Sequence, residues 1–321
     1  MSLFERLYTI IILSAAVIGI GAGQIKAIQA NADSFIVPLL VMMLYLAFLQ
    51  IPLEKAKQAF RNTKFSSVTL LINFIWTPLF AWFLASLFLG DQPALYIGFI
   101  MLMVTPCTDW YLIFTGIAKG DVALSTAILP VNLILQIILL PFYLLLFGGS
   151  LGVIELSFLT ESVFTVLLLP LLLAIATKKL SKNKDLLSRN FSAKLDALPI
   201  VFLSLAIFAM FASQGTLLFD NLDLMAQLLL PILLFFALTF IVGQKAGQLL
   251  KFSYEEKASL NLTTLARNSP IALAIAMTAF PDQPLIALTL VIGPLLELPV
   301  LAVITQILLV LRKKKRKAES M

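Results

Sequence analysis

The sequence predicts an all-α integral membrane protein. Its ten transmembrane helices form two inverted five-helix repeats, with helices four and nine broken where they cross at the membrane midplane. Three observations predict this fold. The 321 residues are 60% hydrophobic and 12% charged, with a mean hydropathy of +1.01, whereas a soluble domain is about half apolar and about a quarter charged. All but two of the 23 basic residues fall on one side of a ten-span layout. Spans four and nine each set a proline beside a cluster of polar residues.

The first span is Leu7–Gly23. Its surroundings resemble a secretory leader in outline, but the apolar core is too long and no A-x-A-like site follows, so it reads as a retained helix. Next come Ser34–Ile51, Ser66–Gly90, Ala94–Ala118 and Val122–Phe147, closing the first repeat at about residues 1–150. The second repeat, about 151–311, holds Leu159–Thr177, Ala197–Gln214, Met225–Leu250, Leu260–Phe280 and Pro284–Leu311. Each run approaches the roughly 17–25 apolar residues that cross a bilayer. Helices are required because an unpaired strand leaves its backbone unsatisfied in lipid, and the period-two alternation of a barrel is missing. The chain reads as a single transmembrane domain, 1–321, whose residues 312–321 form a basic tail.

Orientation follows from charge. With the N-terminus inside, the opposite side holds only Lys26, and Arg267 lies within a span. Both termini are therefore expected in the cytoplasm of a multi-pass cell-membrane protein. The pI of about 9.4 and net charge of +6 then report topology and not a nucleic-acid footprint, and "RKKKRK" at the tail is a stop-transfer anchor that also suits anionic lipid. One cysteine excludes an internal disulfide or a cysteine-rich metal cluster, and the lack of histidine leaves proton chemistry to carboxylates. No cofactor is called for.

Span four contains "TPCTDW" and span nine "LARNSPIAL"; spans five and ten, "ILPVNLILQIILLP" and "VIGPLLELPV", each alternate proline, polar residue and proline. Proline removes a backbone donor, and the groups freed at a break are tolerated only against protein or a watery cavity. Matched breaks at Pro106 and Pro270 in inverted halves point to the midplane binding site of a secondary transporter, whereas Pro38, Pro78, Pro170 and Pro231 read as simple kinks.

Three ionisable residues lie within spans away from their ends: Asp109, Arg267 and Glu297. Each costs about 2.5–3.5 kcal/mol at a helix centre, so such residues pair or line a pathway. The expectation is that Arg267 pairs with Asp109 across the breaks and leaves Glu297 to bind and release a proton; the alternative is a static network in which Arg267 serves both acids. Thr105, Thr108, Asn132, Gln136, Asn268 and Ser269 are candidates to ligate a cation or a hydroxylated solute, with Asn132 and Gln136 one turn apart on one face. Thr77 and Ser86 read as packing residues. Cys107 reads either as a small buried hydrophobe or, beside a break, as a transient ligand for a thiophilic metalloid.

The stretches "TPCTDWYLIFTGIAKGDVALSTAILPVNLILQ" and "VIGPLLELPVL" resemble the arsenite permeases of the arsenical-resistance type, within the bile acid:sodium symporter superfamily. The matching residues are Pro106-Cys107-Thr108, Lys119-Gly120-Asp121, Asn132 and Gly293 through Pro299. The resemblance implies that Cys107 and Glu297 form the functional pair and that arsenite or antimonite leaves the cell as protons enter. Two departures stand out. Asp109 and Trp110 follow the Pro-Cys-Thr, where the permeases carry a small or apolar residue. The ninth span reads "ARNSPIALA" rather than "SNNFELA", similar to the sodium-coupled organic-anion branch, where Arg267 would meet a carboxylate and Asn268 and Ser269 would serve the ion. An intramembrane aspartyl protease is disfavoured because Asp121 falls in a loop without a second acid at the right spacing, and no soluble output domain supports a receptor.

Overall fold

The computed structural model describes residues 3–52, 55–59, 61–108, 110–149, 156–181 and 198–319. Asp109 lies outside the described residues, and with it the expected Asp109–Arg267 pair. Among the described residues the chain is helical, with one isolated antiparallel bridge. Among the described residues, seven helices are long and apolar enough to cross a membrane.

The principal helices, in chain order, are α1 (Leu3–Ala22), α2 (Lys26–Gln50), α3 (Thr63–Phe88), α4 (Pro93–Val104), α5 (Trp110–Ile117), α6 (Val122–Gly148), α7 (Leu159–Leu180), α8 (Leu198–Asp220), α9 (Leu222–Leu249), α10 (Tyr254–Leu265), α11 (Ser269–Ala279) and α12 (Pro284–Glu319); the seven are α2, α3, α6, α7, α8, α9 and α12. The expected span four is thus α4 and α5, and span nine is α10 and α11. Both breaks fall where the prolines and polar clusters predicted them. Pro38 and Pro231 sit inside continuous helices. Pro78 and Pro170 each follow a π-helical stretch, Ile72–Trp76 and Val163–Leu168, where a widened turn absorbs the bond that proline cannot make.

Several boundaries differ from the hydropathy reading. Helix α2 begins at Lys26 rather than Ser34. Helix α10 begins at Tyr254 because Ser253 and Glu256 form a capping box: Glu256 N–H donates to Ser253 Oγ, and Ser253 N–H donates to Glu256 Oε2. The polar run Glu255–Lys257 is therefore a helix start and not a loop. Helix α8 continues past a non-helical Gln214 to Asp220, and α12 carries the basic tail onward as helix.

The helices pack as two groups. One holds α1, α2, α7 and α8; the other holds α3 to α6, α9, α10 and α12, and α11 bears on both, through α12 and α4 on one side and α2 and α7 on the other. Small residues set the closest crossings. Gly19 on α1 and Gly23 just past its end lie against α8 so closely that a Cβ on either would stand 2.5 Å from a carbonyl oxygen, of Phe208 or Ala212. Outward-facing apolar side chains such as Val17, Leu87, Ile138, Phe164 and Val303 remain exposed, as lipid contact requires.

A crossing of two broken helices

Helix α4 ends at Val104 and α10 at Leu265, and the two unwound segments that follow run antiparallel, bridged at Pro106 and Arg267. Cys107 N–H donates to Ala266 O at 3.0 Å, and Asn268 N–H donates to Thr105 O at 2.7 Å. These two bonds satisfy backbone groups that a break would otherwise orphan. Proline at 106 suits this strand because it has no N–H to leave unpaired.

Side chains complete the accounting. Thr105 Oγ1 donates to Met101 O and Leu102 O, turning back onto the last turn of α4. Asn268 accepts from Ile271 N–H at 3.2 Å, capping α11, and donates through Nδ2 to Thr108 Oγ1 at 3.0 Å. Pro270 occupies the first turn of α11, where its missing donor costs nothing. Ser269 Oγ donates to Leu290 O of α12.

Arg267 is only 2% exposed, and its guanidinium faces backbone. Nε donates to Leu265 O at 3.0 Å, Nη1 to Met103 O at 2.9 Å, and Nη2 to Thr264 O. These carbonyls are the C-terminal ends of α10 and α4, which have no intrahelical partner and carry the negative end of the helix dipole. The Phe235 ring of α9 covers the guanidinium face at 5.2 Å. The Arg267 backbone N–H donates to Glu297 Oε1 at 2.8 Å.

Glu297 reaches this point through the packing of α12 on α4. A Cβ on Gly98 would lie 2.8 Å from Thr289 Cβ, and one on Gly293 would lie 2.6 Å from Leu102 Cδ1. Thr289, Gly293 and Glu297 follow one another at four-residue steps, so the stripe that presses on α4 delivers Glu297 to the break at its end. Glu297 and Cys107 are both buried, at 4% and 2% exposed.

The crossing thus gathers Pro106, Cys107, Thr108, Arg267, Asn268, Ser269, Pro270 and Glu297. Asn132 and Gln136 sit on α6, fully buried, and none of their amide atoms has a hydrogen-bond partner. Lys119-Gly120-Asp121 has a local role: Lys119 takes a left-handed φ of 60°, Gly120 passes close to Ser259, and Asp121 caps α6 by accepting from Leu124 N–H. A cavity of about 390 Å³ is lined by Pro52, just past α2, by Pro199, at the start of α8, and by Thr108, with Trp110, Gln50 and Thr126 also in its wall. Asn73 was missed by sequence reasoning, and Thr77 was read as packing. Both lie on or beside the π-turn of α3, fully buried, with side chains that have no hydrogen-bond partner. The signal was a polar residue in an apolar run; the π-turn that gives it meaning is invisible in sequence.

Known proteins resemble this chain over most of its length. The model of the Sodium Bile acid symporter family matches residues 37–221, more than half of the chain. An arsenical-resistance protein Acr3 of Corynebacterium glutamicum is 25% identical over 87% of this chain and 80% of its own length. An Acr3 of Alkaliphilus metalliredigens is 22% identical over 95% of this chain and 92% of its own, and an uncharacterized transporter of Synechocystis is 26% identical over 96% and 88%.

Proposed function

The chain belongs to the Sodium Bile acid symporter family and is a multi-pass membrane transporter, and on that premise we propose that it exports arsenite or antimonite in exchange for protons. The observation that carries this reading is the meeting of Cys107 and Glu297 at one peptide of the crossing. A single thiol suits the task. Arsenite exchanges one hydroxyl for Cys107 sulfur; one S–As bond forms, one As–O bond breaks, and the thiol proton leaves with the hydroxyl as water. Hydrolysis on the far side reverses the step, whereas three thiols would hold the metalloid. Glu297 is the group offered to the proton. The arsenical-resistance names of two relatives point the same way.

Charge favours export as well. In the orientation expected from the basic residues, Asp33, Asp91, Glu161, Asp220, Asp223 and Asp282 are exposed on the outer side. Such a face concentrates cations and repels anions within a Debye length of about 8 Å. It suits entering protons and a neutral departing trihydroxide. The 390 Å³ cavity lined by Thr108 then opens toward the cytoplasm and serves as the loading route. We further read the two breaks as the midpoints of inverted repeats.

The rival reading is sodium-coupled import of an organic anion, favoured by the family's own description. Its sequence support weakens in the structure. Arg267, Asn268 and Ser269 spend their side chains on carbonyls, a helix cap and Thr108. Everted vesicles decide between the two. Arsenite uptake that dissipates a proton gradient, lost in Cys107→Ser at equal expression, supports export; sodium-stimulated organic-anion flux without arsenite movement overturns it.

A further inference from the structure

Two helix C-termini meet at the crossing, and each brings main-chain carbonyls with the negative end of a helix dipole, equivalent to about half an elementary charge. A cation there is strongly favoured. In transporters built on discontinuous helices, unwound carbonyls and half-helix C-terminal ends are where a coupling sodium ion is coordinated. In this chain that cage is occupied. Leu265 O, Thr264 O and Met103 O, drawn from both helix ends, converge on the Arg267 guanidinium. Phe235 closes its face, and the whole group is 2% exposed. Three described polar side chains next to the cage that could complete an ion's shell are committed elsewhere. Thr105 bonds Met101 O and Leu102 O, Asn268 caps α11, and Ser269 bonds Leu290 O.

We infer that Arg267 is a tethered cation standing in for the free coupling ion at this carbonyl cage, so that the protein binds no sodium there and transports independently of sodium. The inference rests on reading the chain as an ion-coupled transporter, and it names which ion is excluded and why. A guanidinium on a side chain cannot dissociate, so the cage cannot load and unload with each cycle. Coupling must then fall to a group that exchanges its charge, and among the described residues the carboxylate at this crossing is Glu297.

Thermal unfolding of the purified full-length protein tests this without reference to any substrate. Sodium chloride and choline chloride at equal ionic strength should give the wild type the same midpoint. In Arg267→Ala the emptied cage should recover stability saturably with sodium or with added guanidinium ion, while Arg267→Lys, which keeps a tethered charge, should show no sodium response. A saturable sodium stabilisation of the wild type overturns the inference, as does an Arg267→Ala protein indifferent to both cations. If Arg267→Ala does not fold, wild-type flux in vesicles with sodium replaced by choline on both sides decides: unchanged flux supports the tethered cation, and lost flux overturns it. Failure of the arsenite reading registers separately, as absent arsenite flux alongside an unaltered pattern of midpoints.

Discussion

Cys107 and Glu297 hold opposite ends of one peptide bond. The carbonyl of Ala266 accepts from Cys107 N–H, and the amide of the same peptide, belonging to Arg267, donates to Glu297 Oε1. Glu297 comes from α12 and Cys107 from the segment after α4, and the segment after α10 supplies the peptide between them. A change of charge on Glu297 therefore acts on the strand that carries the thiol through one rigid plane. Charge-assisted hydrogen bonds are about twice as strong as neutral ones, so protonation loosens this link without breaking it.

Glu297→Gln separates transport from stability. Glutamine keeps an acceptor for the Arg267 amide, so the midpoint of unfolding should change by the equivalent of about 1 kcal/mol or less, while proton-coupled flux is lost. Glu297→Ala leaves a buried amide orphaned and should cost about 1–3 kcal/mol in addition. Denaturation and vesicle flux on the same preparations check both. Equal destabilisation by the two variants would show that the Oε1 bond contributes nothing.

Arg267 and Phe235 should be energetically coupled. Arg267→Met removes three donors and leaves the carbonyls of Met103, Thr264 and Leu265 without the partners they have, at a cost of at least about 3 kcal/mol. Phe235→Leu keeps apolar bulk but removes the π face beneath the guanidinium and should cost about 2 kcal/mol. In the double variant the second loss has no cation to act on, so the costs should fall short of additivity by about 1 kcal/mol. A double-mutant cycle by chemical denaturation measures the shortfall, and strict additivity rejects the contact.

The breaks were legible in the sequence because proline and charge in an apolar span are both costly and therefore conspicuous. Arg267 was conspicuous for the same reason, but its partners were not. Sequence displays side-chain charges, so reasoning from it paired Arg267 with an acid. That acid, Asp109, lies outside the described residues; among those described, the Arg267 side chain bonds main-chain carbonyls, which every residue carries and which become available only where a helix ends. The start of α10 was hidden by its own cap: Glu255, Glu256 and Lys257 lower the hydropathy at the point where Ser253 and Glu256 nucleate the helix. Asn73 needed a π-turn to stand out, and nothing in the run "INFIWTP" announces one.

The α4–α12 seam should be intolerant of added volume. Gly98→Ala places a methyl group 2.8 Å from Thr289 Cβ and 3.1 Å from Ile286 O, so the helices must separate, at a cost of about 1–3 kcal/mol. Because Glu297 rides on the same stripe of α12, the separation also draws its carboxylate from the Arg267 amide and should lower flux. Thr289→Ala or Thr289→Gly in the Gly98→Ala background should restore part of both. Recovery of stability with no recovery of flux would show that the seam does not position Glu297.

Asn268 joins two tasks that substitution can divide. Its Oδ1 caps α11 and its Nδ2 ties the second break to Thr108 of the first. Thr108→Val keeps volume and the cap but removes the tie; Asn268→Ala removes both. The second variant should be less stable than the first by about 1 kcal/mol, the worth of an N-cap. Both should expose the strand between Pro106 and Thr108, and the chain offers a clean probe because Cys107 is its only cysteine. Alkylation of Cys107 by a membrane-permeant maleimide should therefore accelerate in both variants relative to the wild type, and to a similar degree, since the lost tie is common to them. If only Asn268→Ala accelerates, the cap of α11 and not the Asn268–Thr108 bond keeps the crossing closed.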